Sequence, residues 1–129
     1  MNNLQRNLCL PAEPTYENKI GVIKKCDLSY DFLKECEYLE VLWKLTDDVF
    51  PHHPRTVKSR FYLKDINDNV VRASLADLIS CAKACGIERI QDTKQFLLKT
   101  CLLTIKHSND GYGTRQIIAY RSLLEANNG

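Results

Sequence analysis

SLADLISCAKACGIERIQDTKQFLLKTCLLTIKHSNDGYGTRQIIAY, residues 74–120, is the stretch whose reading decides the fold. Ser74 has N-cap chemistry, and Asp77 stands at the N3 position of a capping-box-like SxxD. Leu75, Leu78, Ile79, Ala82 and Cys85 recur at helical spacing and share one face. Gly86 is a C′ residue that closes this helix. After a short turn, Asp92 or Thr93 caps a second helix over 93–101, with Phe96, Leu97, Leu98 and Cys101 inward. Residues 102–106 then read as a strand, HSNDGYG as a polar turn, and Arg115 to Tyr120 as a second strand. Asp110-Gly111 is among the strongest short hairpin signals.

Working outward, Ser29 and Asp31 suit the first turn of a helix over 30–45. Phe32, Leu33, Cys36, Leu39, Leu42 and Trp43 fall at its apolar spacing, and Pro51 ends whatever remains of it. FPHHPRT, residues 50–56, reads as a stiff loop. Residues 60–66 (RFYLKDI) and 70–72 read as the arms of a hairpin turning at Asn67-Asp68-Asn69. Residues 1–18, broken by Pro11 and Pro14, are expected to form a flexible arm ahead of a single domain over 19–129. Ile20 to Ile23 is a short strand or an anchor.

The order helix, strand, helix, helix, strand, loop, strand resembles a winged-helix domain. Residues 30–120 supply its core, and the match rests on element order rather than on a motif. The resemblance implies an α+β fold with three main helices and a small antiparallel sheet. It further implies a non-enzymatic regulator that binds double-stranded DNA. Helix 93–101 would enter the major groove, presenting Thr93, Lys94, Gln95 and Lys99. The wing over 106–115 would bring Lys106, His107, Asn109 and Arg115 to the phosphate backbone. A homodimer is compatible with that role. The alternative is a protein-interaction module, an adaptor or inhibitor, working through the acidic N-terminal half.

Charge supports both readings. Residues 1–54 hold six Lys/Arg against nine Asp/Glu, and residues 55–129 hold twelve against seven, within a net charge of +2. Such asymmetry can mark a nucleic-acid-facing half. No run of eighteen apolar residues is present, so no membrane span is expected, and the N-terminal residues lack a signal-peptide core. Cytosol, or nucleus in a host that has one, is the expected compartment. The six cysteines lie mostly inside apolar patterns and are expected as reduced core thiols.

Sharper chemistries find little support. Cys81 and Cys85 with His52 and His53 make a four-ligand set, but both cysteines sit in an apolar helical stripe rather than in a zinc knuckle. No cysteine or histidine has the local signature of a nucleophile. The acidic residues have no convergent partner, and no Gly-rich phosphate loop occurs. No cofactor or metal is therefore expected.

Overall fold

The computed structural model describes residues 12–46, 55–109 and 112–124. Among the described residues, five strands and one long α-helix follow one another. They are β1 (Ala12–Asp31), β2 (Cys36–Leu45), β3 (Thr56–Lys64), α1 (Asp68–Ala84), β4 (Thr100–Asn109) and β5 (Arg115–Arg121), with a single 3₁₀ turn at Thr93–Phe96 between α1 and β4. All neighbouring strands pair antiparallel in the order β3-β2-β1-β4-β5. The sheet curls into a half-barrel, and α1 packs against both of its edge strands.

This architecture replaces the three-helix, winged-helix layout. Residues 30–45 are not a helix. Leu39, Val41, Trp43 and Leu45 are buried and alternate with Tyr38, Glu40, Leu42 and Lys44 on the other side. That is the period of a strand. Leu42, an outward apolar residue, supplied the false helical spacing. Asp31 serves a turn instead of a helix start, its Oδ1 accepting the backbone N–H groups of Leu33 (3.0 Å) and Lys34 (3.2 Å).

The proposed hairpin over 60–72 is half right in its chemistry. Residues 60–64 belong to β3, but Asn67 caps α1 rather than turning a strand, its side chain accepting from the N–H of Asn69 at 2.9 Å. Val70 and Val71 are helical, and Ser74 is buried mid-helix. The helix ends as expected at Gly86, with φ +79°. The second helix shrinks to the four-residue 3₁₀ turn. Leu98, with φ +63°, breaks any continuation, and Thr100 onward pairs with β1. Strands β4 and β5 lie where the sequence put them, although Asp110-Gly111 lies outside the described residues. Residues 12–18 of the expected arm are paired strand, and residues 1–11 are outside the description.

The long β1 explains the curl. Its first part pairs with β4 and its last part with β2, the two ladders overlapping only near Gly21 and Val22. A bulge at Lys24 bends the strand just beyond that overlap. At Gly21 the sheet has no room for a side chain: a Cβ there would lie 2.5 Å from Leu103 Cδ1 and 3.0 Å from Trp43 Cε3.

Inside the curl, Ile23, Val41, Trp43, Phe61, Leu103 and Ile105 meet Leu78, Cys81 and Ala82 of α1. One polar chain crosses this core. Trp43 Nε1–H donates to Ser59 Oγ (3.1 Å), and Ser59 Oγ shares a 2.7 Å hydrogen bond with the Tyr120 hydroxyl. The chain links β2 and β3 to β5, the opposite edge. Burial pushes the Tyr120 hydroxyl well above its ordinary range, so it stays protonated. Every buried side-chain N or O among the described residues has a partner.

Ser59→Ala should leave Trp43 and Tyr120 without their shared partner and lower unfolding stability by about 1–3 kcal/mol. Urea unfolding followed through the fluorescence of Trp43 reads this directly, and an unchanged midpoint would deny the chain its role. Gly21→Ala should cost a comparable amount, about 1–3 kcal/mol, through overpacking against Leu103 and Trp43.

Candidate nucleic-acid interface

Strand alternation that turns Val57, Ser59 and Phe61 into the core turns Thr56, Lys58, Arg60 and Tyr62 outward. The same rule in β2 sends Tyr38, Glu40, Leu42 and Lys44 to that outer face, and in β1 it sends Lys25, Asp27 and Ser29 there. Cross-strand pairing then fixes their neighbours. Tyr38 stands opposite Tyr62, Glu40 opposite Arg60, and Leu42 opposite Lys58.

Two tyrosines therefore sit side by side on the outside of the sheet, ring centroids 5.8 Å apart and inclined at 55°. The Arg60 guanidinium lies 4.6 Å from the centre of the Tyr38 ring, a cation–π arrangement. Arg60 Nε also bonds Glu40 Oε2 at 3.0 Å, and Lys58 Nζ lies 3.5 Å from Glu40 Oε1. Glu40 thus orients two cations rather than standing alone. Beside it, Lys25, Asp27, Ser29, Glu40, Leu42 and Lys58 line a hollow of about 220 Å³. Four basic side chains (Lys25, Lys44, Lys58 and Arg60) share this face with two carboxylates, Asp27 and Glu40, and beyond a register shift Lys64 stands opposite Glu37. Aromatic faces flanked by cations offer stacking surfaces for planar rings and charge for phosphates.

The residues expected from the sequence stand elsewhere, in two groups. Thr93, Lys94 and Gln95 belong to the 3₁₀ turn, which is no groove-reading helix. Gln95 is occupied within its own loop. Its Oε1 accepts from the N–H groups of Gln91 (2.6 Å) and Asp92 (2.9 Å), and its Nε2 donates to the Arg89 carbonyl (3.0 Å). Lys99 is exposed, while its carbonyl accepts from the N–H of Ile23 at 2.9 Å and so pins this loop to β1. Lys106, His107, Asn109 and Arg115 lie in the β4–β5 hairpin, with His107 opposite Arg115. His107 is engaged: its Nε2 is 2.6 Å from Glu17 Oε1. Arg55 clasps the same carboxylate with two nitrogens, at 2.9 and 3.4 Å.

Sequence reasoning did not bring Tyr38, Arg60 and Tyr62 together. The signal was present in TVKSRFYLK, where every second residue from Thr56 is polar, basic or aromatic and the residues between are apolar or small.

Cys26, Cys36, Cys81, Cys85 and Cys101 are free and buried. Burial, with Asp27 nearby, pushes the Cys26 thiol up to about 11. Hydrogen bonding to Cys85 and burial push Cys81 and Cys101 up as well, and donation from both holds Cys85 lower. Among the described residues no group of three or more His, Cys, Asp or Glu is placed to hold a metal ion, and His52 and His53 lie outside them. No helix among these residues is long and apolar enough to cross a membrane.

Comparison with protein-family models, with curated proteins and with solved structures found no match.

The Glu17 cluster makes stability depend on pH. Burial pushes the Glu17 carboxyl up, but Arg55 and His107 outweigh it and hold the group below its ordinary 4.5. The ionised form therefore stabilises the fold above that value, and the contribution is lost as pH falls through the lower folded value. Glu17→Gln should melt below the wild-type protein at neutral pH, and the gap should close on acidification past about 4.5. Melting curves across this range test it, and a gap independent of pH would refute the assignment.

Proposed function

We propose that this protein binds single-stranded nucleic acid along the outer face of β1, β2 and β3. The observation that carries the reading is the Tyr38–Tyr62 pair, with Arg60 over one ring and Lys58, Lys25 and Lys44 further along the same face. Base–aromatic stacking tolerates any sequence, and flanking cations follow the backbone. The layout agrees with this use. A five-stranded, partly open antiparallel barrel is the plan of the OB-fold, whose second and third strands commonly hold oligonucleotides or oligosaccharides. Here β2 and β3 carry both tyrosines and three of the cations, Lys44 from β2 and Lys58 and Arg60 from β3.

Unpaired bases suit this surface better than a duplex does. Stacking requires a base to leave its neighbours, which costs least in a single strand. The half-buried tyrosines stand on a sheet face rather than on a projecting helix. Glu40 spaces the cations and keeps the face from becoming an undifferentiated positive field.

Fluorescence anisotropy with a labelled single-stranded oligonucleotide, and with its duplex, tests the proposal. Affinity should favour the single strand and fall as salt rises. Tyr38→Ala or Tyr62→Ala should each lose about 5- to 150-fold, the loss of one stacked base. Lys94→Glu, on the 3₁₀ turn, should change affinity by less than about threefold, as expected of a distant screened charge. Duplex preference, or wild-type binding by both tyrosine variants, would overturn the reading.

A further inference from the structure

The tip of the β1–β2 hairpin contradicts the surface beside it. Phe32 is 84% exposed and Leu33 98% exposed. Leu28 and Tyr30 are exposed on the same hairpin, and the Tyr30 and Phe32 rings meet edge to face at 4.8 Å. Large side chains thus cluster where the hairpin runs past the core. An apolar cluster of this kind on a soluble surface marks a contact site. The tip is also built to hold its shape. Asp31 caps the turn through two backbone N–H groups, and Glu35 takes the left-handed conformation at φ +50°. Residues 27–37 carry four carboxylates, Asp27, Asp31, Glu35 and Glu37, against one cation, Lys34. That charge repels a polyanion, so the tip does not extend the nucleic-acid face.

A surface of the opposite kind lies on α1. Its core side presents Ser74, Leu78, Cys81 and Ala82. Its outward side carries Arg72, Leu75, Ile79 and Lys83 at helical spacing, with Leu75 41% and Ile79 51% exposed. Two apolar residues are bracketed by two cations about 16 Å apart along the helix axis. Neither cation forms an ion pair among the described residues. Asp68, one turn before Arg72, offsets part of its charge, which leaves Lys83 the stronger attraction. The tip offers Phe32 and Leu33 as apolar anchors in a tight acidic turn between Asp31 and Glu35, a charge that favours the Lys83 end of the stripe.

We propose that copies of this chain associate head to tail, the β1–β2 tip of one seated on the outward face of α1 in the next. The two patches differ, so each contact leaves a tip free on one side and a helix free on the other. Such a heterologous contact grows into a chain of copies rather than closing as a dimer. It uses neither Tyr38 nor Tyr62 and stands without the nucleic-acid reading.

Sedimentation of the full chain alone, over a wide concentration range at low and high salt, tests this. Average mass should rise past that of a dimer without a plateau, and less so at high salt. Phe32→Asp and, separately, Ile79→Asp should each lower the association constant at least tenfold, as removal of an interface anchor does at roughly this scale. Both positions are exposed, so circular dichroism and melting should match the wild type. The decisive arm is the mixture. Phe32→Asp retains a working helix face and Ile79→Asp a working tip, so together they should form a one-to-one complex. A protein monomeric throughout, a discrete dimer that survives both substitutions, or variants that fail to pair when mixed would each overturn the proposal.

Discussion

The hydrogen-bonded chain from Trp43 through Ser59 to Tyr120 closes the curl from within. An open five-stranded sheet has two edges, and unpaired edges invite association with other chains. Here the edges, β3 and β5, turn toward one another, and α1 covers both. Ser59 is the pivot because a hydroxyl can accept from the indole and still share a bond with the phenol. A purely apolar residue there would leave the buried indole N–H and the half-buried phenol without this partner, a penalty larger than the net value of either bond. Packing follows from the same contact: Phe61 and Trp43 each lie with their ring centroids 6.0 Å from that of Tyr120.

Closure also decides what the outer face can be. Once Val57, Ser59 and Phe61 are committed inward, strand geometry leaves no choice about Lys58, Arg60 and Tyr62. The register then sets Tyr38 beside Tyr62 and Glu40 beside Arg60. A slip of one residue would exchange the two faces wholesale, burying cations and exposing the core. The core and the candidate binding surface are one specification, read from opposite sides of the sheet.

Parts of this were legible in the sequence. Gly86 marked a true helix end, and the Leu102–Lys106 and Arg115–Tyr120 runs are true strands, because local chemistry decides those features. The stretch 30–45 misled because apolar residues at alternate positions also meet helical spacing once Leu42 is counted with them. Only its pairing to β1 on one side and β3 on the other separates the two periods, and pairing is not local. Residues 93–101 misled for the opposite reason. Of the two caps the sequence offers, Asp92 or Thr93, Asp92 is the one used, and Gln95 completes a capping box with it. Partnership with β1 then took Thr100 onward into the sheet after a single turn. Thr93, Lys94, Gln95 and Lys99 therefore lose the helix that was to present them, and the Tyr38–Tyr62 pair becomes visible only once two strands are aligned.

The charge asymmetry along the chain has a related lesson. An acidic first half and a basic second half suggest two oppositely charged lobes. Folding interleaves them instead, because β3, rich in cations, pairs with β2, which holds Glu37 and Glu40. Glu40 meets Arg60 and Lys58, while Glu17 from the first half meets Arg55 and His107 from the second. Most of the imbalance is consumed in such pairs, and what survives is local: a cationic aromatic sheet face, an acidic apolar hairpin tip, and a helix stripe with a cation at each end. Patches of this size act over a Debye length of about 8–10 Å and so select what touches them rather than what drifts nearby. The recognition properties of the chain therefore depend on which charges the fold leaves unpaired, and composition alone holds no record of that.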